Sequence, residues 1–199
     1  MLQGLPSTVP RMAFADESFQ EDSAEGAYVL AATALEPQAQ DDAREFMRRL
    51  LGSRRTDKLH WYEMDRLQRK DAAHRVADID CLHVVVVGSP VPRRRQERAR
   101  AVCLATLVGA LHNLGVQHLL IESRSAELNC RDVATVLGAR FTLPKGSRFR
   151  VDHVRGSDEP LLWVADVVAG AVRASLRDSS AEVELLGERV RVLKVPTGC

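Results

Sequence analysis

The chain has 199 residues, enough for one substantial hydrophobic core or two small ones. Its formal net charge of +1 excludes a global basic field that would by itself announce a nucleic-acid partner. Cys81, Cys103, Cys130 and Cys199 are widely spaced, with no Cys-x-x-Cys pair. That argues against a zinc knuckle or redox motif and fits reduced thiols in a cytoplasmic protein.

Residues 1–10 contain two prolines with Ser, Thr and Gly and read as a flexible arm. They lack the basic-then-apolar pattern of a signal peptide. Arg11–Asp16 predicts a short strand with Met12, Phe14 and Asp16 on one face, because strand side chains alternate. A polar turn from Gln20 to Gly26 leads to a second strand, Ala27–Leu35, and the short link implies an antiparallel hairpin.

Residues 38–79 read as a helical insertion between sheet strands. Gln38–Leu51 has helical spacing, with Ala43, Phe46, Met47, Leu50 and Leu51 on one side and Arg44, Arg48 and Arg49 on the other. Lys58–Glu63 is a short extended piece, and Asp65 caps a helix to about Val76.

Cys81–Val87 is the strongest strand signal, broken by Gly88–Pro92. Arg93–Leu114 predicts a long helix, basic at its start and apolar from Ala101, with Gly115 as its stop. Its apolar run, Ala101–Leu111, is too short to span a bilayer. Gln117–Glu122 is a strand ending in a carboxylate, Ala126–Leu137 a helix stopped by Gly138, and Phe149–Val154 a further strand. Ser157 or Asp158 caps a helix over Leu161–Val172. In the tail, residues 182–195, the alternation of Arg189–Val192 predicts an edge strand or packing arm, one able to pair across a homodimer.

The Leu161–Val172 helix is apolar on nearly every side and should be buried, yet Asp166 stands in its middle. A buried, unpaired carboxylate costs several kcal/mol, so a cation, a hydrogen-bond network or a metal must meet it. Without the insertion the element order is β-β-β-α-β-α-β-α: a meander and two crossover units, hence an α/β domain with a mixed sheet over residues 11–195. If the first and fourth strands run parallel as neighbours, Asp16 and Glu122 meet at one sheet edge, and Asp166 can reach the same spot. Three converging carboxylates repel unless a cation sits among them. Hard oxygen ligands suit Mg²⁺ or Mn²⁺, and such ions activate water and stabilise a leaving alkoxide in phosphodiester cleavage.

Two stretches resemble a known family. Phe14-Ala-Asp-Glu-Ser18 is similar to the opening strand of the domain-of-unknown-function 3800 family. Ser157 followed by Leu161-Leu-Trp-Val-Ala-Asp166-Val-Val-Ala-Gly170 is similar to its closing motif. The sequence departs from the family at Phe19, where Gly is usual, and at Trp163, where Gln is common. The resemblance implies a ribonuclease-H-like three-layer fold, with a mixed five-stranded central sheet, helices on both faces and an insertion after the first hairpin. It implies Asp16, Glu122 and Asp166 as catalytic metal ligands for Mg²⁺ or Mn²⁺. Ser157 or Asp158 would lie close by, and Lys58 and His60 match a Lys/His position that follows the family's first hairpin. The expected activity is metal-dependent cleavage of nucleic acid, DNA or RNA.

Blander readings stand beside this one. Asp166 can pair with a buried arginine or with backbone groups, Ser157 and Asp158 can be caps alone, and His153 can be structural. Glu17 should point to the face opposite Asp16. The arginines between Arg93 and Arg100 are either a solvated face or a phosphate-contact surface. The alternative function is therefore a non-catalytic nucleic-acid-binding or protein-interaction module. A small-molecule phosphohydrolase ranks lower, since no Gly-rich phosphate loop is visible.

Overall fold

The structure, a computed structural model, describes residues 11–20, 26–53, 56–177 and 181–199. The expected N-terminal arm and most of the first hairpin's turn lie outside the described residues.

Six strands form one mixed sheet: β1 (Arg11–Gln20), β2 (Ala27–Leu35), β3 (Leu82–Ser89), β4 (Val116–Glu122), β5 (Arg150–Val154) and β6 (Val190–Pro196). Their order across the sheet is β5-β4-β1-β2-β3-β6. The first three make the expected antiparallel meander, with Asp16 opposite Ala31 and Ala31 opposite Val85. Strand β4 lies parallel to β1, with Ala15 beside Ile121, and β5 lies parallel to β4. The tail does form an edge strand: β6 adds parallel to β3, making six strands rather than five. Only β2 opposes the others, so five strands deliver their carboxyl ends to one edge of the sheet.

Helices cover both faces, as a three-layer α/β fold requires. Helices α3 (Gln96–Asn113) and α4 (Ala126–Ala139) pack on one face. There Ala13 and Ala15 of β1, Leu30 of β2 and Leu119 and Ile121 of β4 meet Leu104, Leu107 and Leu111 of α3. The opposite face carries α1 (Gln40–Leu51), α2 (Arg66–Ala77), α5 (Leu161–Ser175) and α6 (Ala181–Leu186). There Phe14, Val29, Ala31 and Val85 meet the apolar body of α5. Strand β2 is central and buried along its whole length, which is why its nine residues are nearly all apolar.

Local signals explain several boundaries. Asp65 caps α2 through the backbone N–H of Gln68, whose side chain returns the bond to the Asp65 N–H, 2.9 and 3.0 Å. Gly115 follows α3 with φ +79°, the left-handed turn expected of a stop glycine.

Other boundaries differ from the sequence reading. β1 runs four residues past Asp16, because Glu17–Gln20 continue to pair with β2. A single turn of 3-10 helix, Pro37–Ala39, precedes α1. Helix α4 passes through Gly138, and β5 begins at Arg150. Neither Ser157 nor Asp158 caps α5. The Leu161 N–H instead donates to Glu159 Oε1 at 3.1 Å, and Glu159 is held by Arg44 of α1 at 2.9 Å.

Candidate functional site

Asp16 lies on the same face of β1 as Phe14, two residues apart, and so faces α5. Glu122 ends β4, the parallel neighbour of β1. Asp166 is one and a half turns into α5. The three line one cavity of about 340 Å³ at the carboxyl edge, together with His60 and Tyr62. The sequence reading of these residues as spatial neighbours therefore matches where the fold places them.

The insertion does more than cover the core. A single turn of 3-10 helix, Trp61–Glu63, lies against α5, and the Trp61 backbone N–H donates to Asp166 Oδ2 at 2.7 Å. The Trp61 ring occupies the space that a side chain at position 170 would fill, so only glycine lets the two elements approach this closely. Asp166 meets a backbone partner, and among the described residues no arginine hydrogen-bonds to it.

Burial raises the Asp16 carboxyl well above its usual value, and the charges of Glu17, Asp166 and Glu122 raise it further, against the Glu17 N–H that donates to it at 2.7 Å. Burial likewise pushes Asp166 up to about 6, opposed by the Trp61 N–H and by the positive potential of His60 and Lys58. Two of the three carboxyls thus keep their protons to higher pH than free carboxyls do.

Glu122 is different. Its Oε1 is paired with the Lys58 ammonium, so Lys58 meets a carboxylate and not open solvent. A Cβ at Gly156 would stand 2.6 Å from both Glu122 Oε1 and Lys58 Cδ, so this glycine makes room for the pair. Trp163 donates its indole N–H to the Gly156 carbonyl at 2.6 Å. Ser157 lies in an adjoining cavity of about 480 Å³ with Lys58, Ser123 and Arg155, and its hydroxyl donates to Asp158 at 3.0 Å.

Among the described residues no group of three or more His, Cys, Asp or Glu side chains is arranged to hold a metal. With Glu122 tied to a lysine, the set as it stands does not fit Mg²⁺ or Mn²⁺.

Glu17 points to the other face, as alternation predicts, and there it meets a network that sequence reasoning missed. Arg100 of α3, 1% exposed, lies 2.6 Å from Glu17 Oε2 and binds Asp132 of α4 through two bonds of 2.8 Å. It also donates to the Tyr28 hydroxyl at 3.0 Å. His153 and Arg124 approach Asp132 at 3.2 Å each. Burial would raise Asp132, but the bonds from Arg100 and His153 outweigh it and hold the carboxyl far below the usual range. His153 is therefore a structural partner of Asp132, and Arg100 is a buried cation, unlike the exposed Arg94, Arg95 and Arg98.

No family model matches the sequence, and no curated protein matches it. The structure of the PCNA:RNase HII complex from Archaeoglobus fulgidus contains a chain similar to this one. The TM-score is 0.52 at 17% identity, over 89% of this chain and 77% of that one. The likeness, with the strand order and the helices on both faces, establishes a ribonuclease-H-like three-layer α/β fold. It does not extend to the domain-of-unknown-function 3800 family in particular. Among the described residues no helix is long and apolar enough to cross a membrane.

Proposed function

We propose that the chain is a nucleic-acid-binding module on a ribonuclease-H-like fold, contacting phosphates along the carboxyl edge of its sheet. The observation that carries this reading is the Lys58–Glu122 pair: the third carboxylate of the cleft is already neutralised by a resident cation. The same edge presents exposed Arg94 and Arg95 after β3 and exposed Arg155 after β5. Arginine forks suit phosphate oxygens. The test is binding of a short oligonucleotide with chelator present. The expected affinity survives EDTA, falls steeply as salt rises, and loses part of its salt slope in Arg94→Ala/Arg95→Ala. Absence of binding without divalent ions sinks this reading.

The second reading is a metal-dependent nuclease using Asp16, Glu122 and Asp166. The shared cavity favours it, as do the repulsion of Asp16 by Asp166 and Glu122 and of Asp166 by Glu122, since a cation relieves such repulsion. So do Asp16-Glu-Ser18 and the α5 motif, on which membership of the domain-of-unknown-function 3800 family also rests as a proposal. This reading requires Lys58 to leave Glu122. A rise in melting temperature with Mn²⁺, absent in Asp166→Asn, together with oligonucleotide cleavage, would put it first.

A further inference from the structure

At the opposite end of the sheet from the carboxylate cleft, where β1, β4 and β5 begin, lies a separate cavity of about 540 Å³. Three arginines line it: Arg140 after α4, Arg148 in the following loop and Arg150 at the start of β5. All three are exposed. Met12 and Phe149 give it apolar walls, and no carboxylate is among the described residues that line it.

The arginines differ in their support. Arg150 is oriented: its Nη2 donates to His118 Nδ1 at 3.2 Å, since a guanidinium can only donate. His118 Nδ1 is therefore the acceptor, and its Nε2–H donates to Asp152 at 2.7 Å, outside the cavity lining. Asp152 also stands 3.7 Å from Arg150, so this arginine is partly neutralised. Arg140 and Arg148 make no ion pair among the described residues, so their charges face the cavity uncompensated.

The geometry points to a binding site for an organic phosphate of nucleotide size, held by Arg140, Arg148 and Arg150 with its organic part against Met12 and Phe149. The volume falls in the range of small-ligand sites. Uncompensated guanidiniums around an apolar wall select for an anion that carries a body. The site is independent of the carboxylate cleft, so it stands or falls apart from the function proposed above.

Calorimetric titration with ADP, and with adenosine as the phosphate-free control, tests it on the full chain. ADP should bind at micromolar concentrations and adenosine should not. The surface variant Arg140→Ser/Arg148→Ser, its melting temperature unchanged, should weaken ADP more than tenfold. Asp166→Asn should leave ADP binding as it is. ADP binding no tighter than that of adenosine, or equally tight in the arginine variant, overturns the proposal. Loss of ADP binding in Asp166→Asn alone would overturn it too, by placing the nucleotide in the cleft.

Discussion

Asp16 and Glu17 are neighbours in one strand and meet opposite fates. Glu17 enters the α3–α4 face, where buried Arg100 pairs with it and with Asp132, and Asp132 also meets Arg124 and His153. Asp16 enters the α5 face, where its company is two more carboxyls and the charge balance is left short. The first cluster ties α3, α4, β1 and β5 together. The second holds its carboxyls in a state that costs stability at neutral pH. Buried charge is structural where its partner is supplied within the fold. Where the partner is only partly supplied, the residues are available to a ligand or a proton.

Breaking the satisfied cluster should have the largest effect. Arg100→Met leaves the buried Asp132 and the half-buried Glu17 without their central cation, at a cost of about 3–5 kcal/mol in urea denaturation at pH 7. A loss below about 1 kcal/mol would remove the contrast between the two faces.

The unsatisfied cluster should respond in the opposite direction. Asp166 has a folded value of about 6 against an ordinary 3.8, so the folded state holds its proton more tightly than the unfolded chain. Its contribution is full below about pH 4 and is lost as pH rises through about 6. The wild type should therefore lose stability across that window. Asp166→Asn keeps an acceptor for the Trp61 N–H, removes the titration, and should be more stable at pH 7 by about 1–2 kcal/mol, after allowance for its partial exposure. Equal pH dependence of the two proteins by chemical denaturation would refute this assignment.

The smallest effect is expected at Gly156→Ala. The added methyl meets the flexible ends of Lys58 and Glu122, which can swing aside, so stability should change by less than about 1 kcal/mol. Separating the pair should nevertheless increase stabilisation by Mn²⁺, read as a larger thermal shift than in the wild type. An unchanged shift would show that Lys58 is not what keeps Glu122 from a cation.

The two faces also differ in how far they could be read from residues alone. Strand alternation placed Asp16 and Glu17 on opposite sides, and an acid within an apolar helix marked Asp166. The convergence on Glu122 followed from topology, because parallel neighbours end together. The partners were less legible. The Trp61 N–H and the Lys58–Glu122 pair join segments 105 and 64 residues apart, and no local pattern specifies them. Arg100 did carry a signal: it shares helical spacing with Cys103, Leu104, Leu107 and Leu111, all buried. Its place in an arginine-rich run obscured that spacing. Asp132 likewise shares a helix face with Val136 and Ala139. The Glu159 bond to the first N–H of α5 was hidden because Glu159 reaches only two residues ahead and stands before the cap position, Pro160.

The chain has two tryptophans, and both report on the cleft. Trp61 joins the insertion to Asp166, and Trp163 holds the carbonyl of the glycine beside Lys58 and Glu122. Indole emission is sensitive to nearby charge and to hydrogen bonding at the ring nitrogen. Protonation, ion binding or separation of the lysine pair should therefore each alter the native fluorescence, with Trp61→Phe and Trp163→Phe dividing the signal between the two halves. The cleft is thus supplied with intrinsic optical probes, and titrations on it need no attached dye.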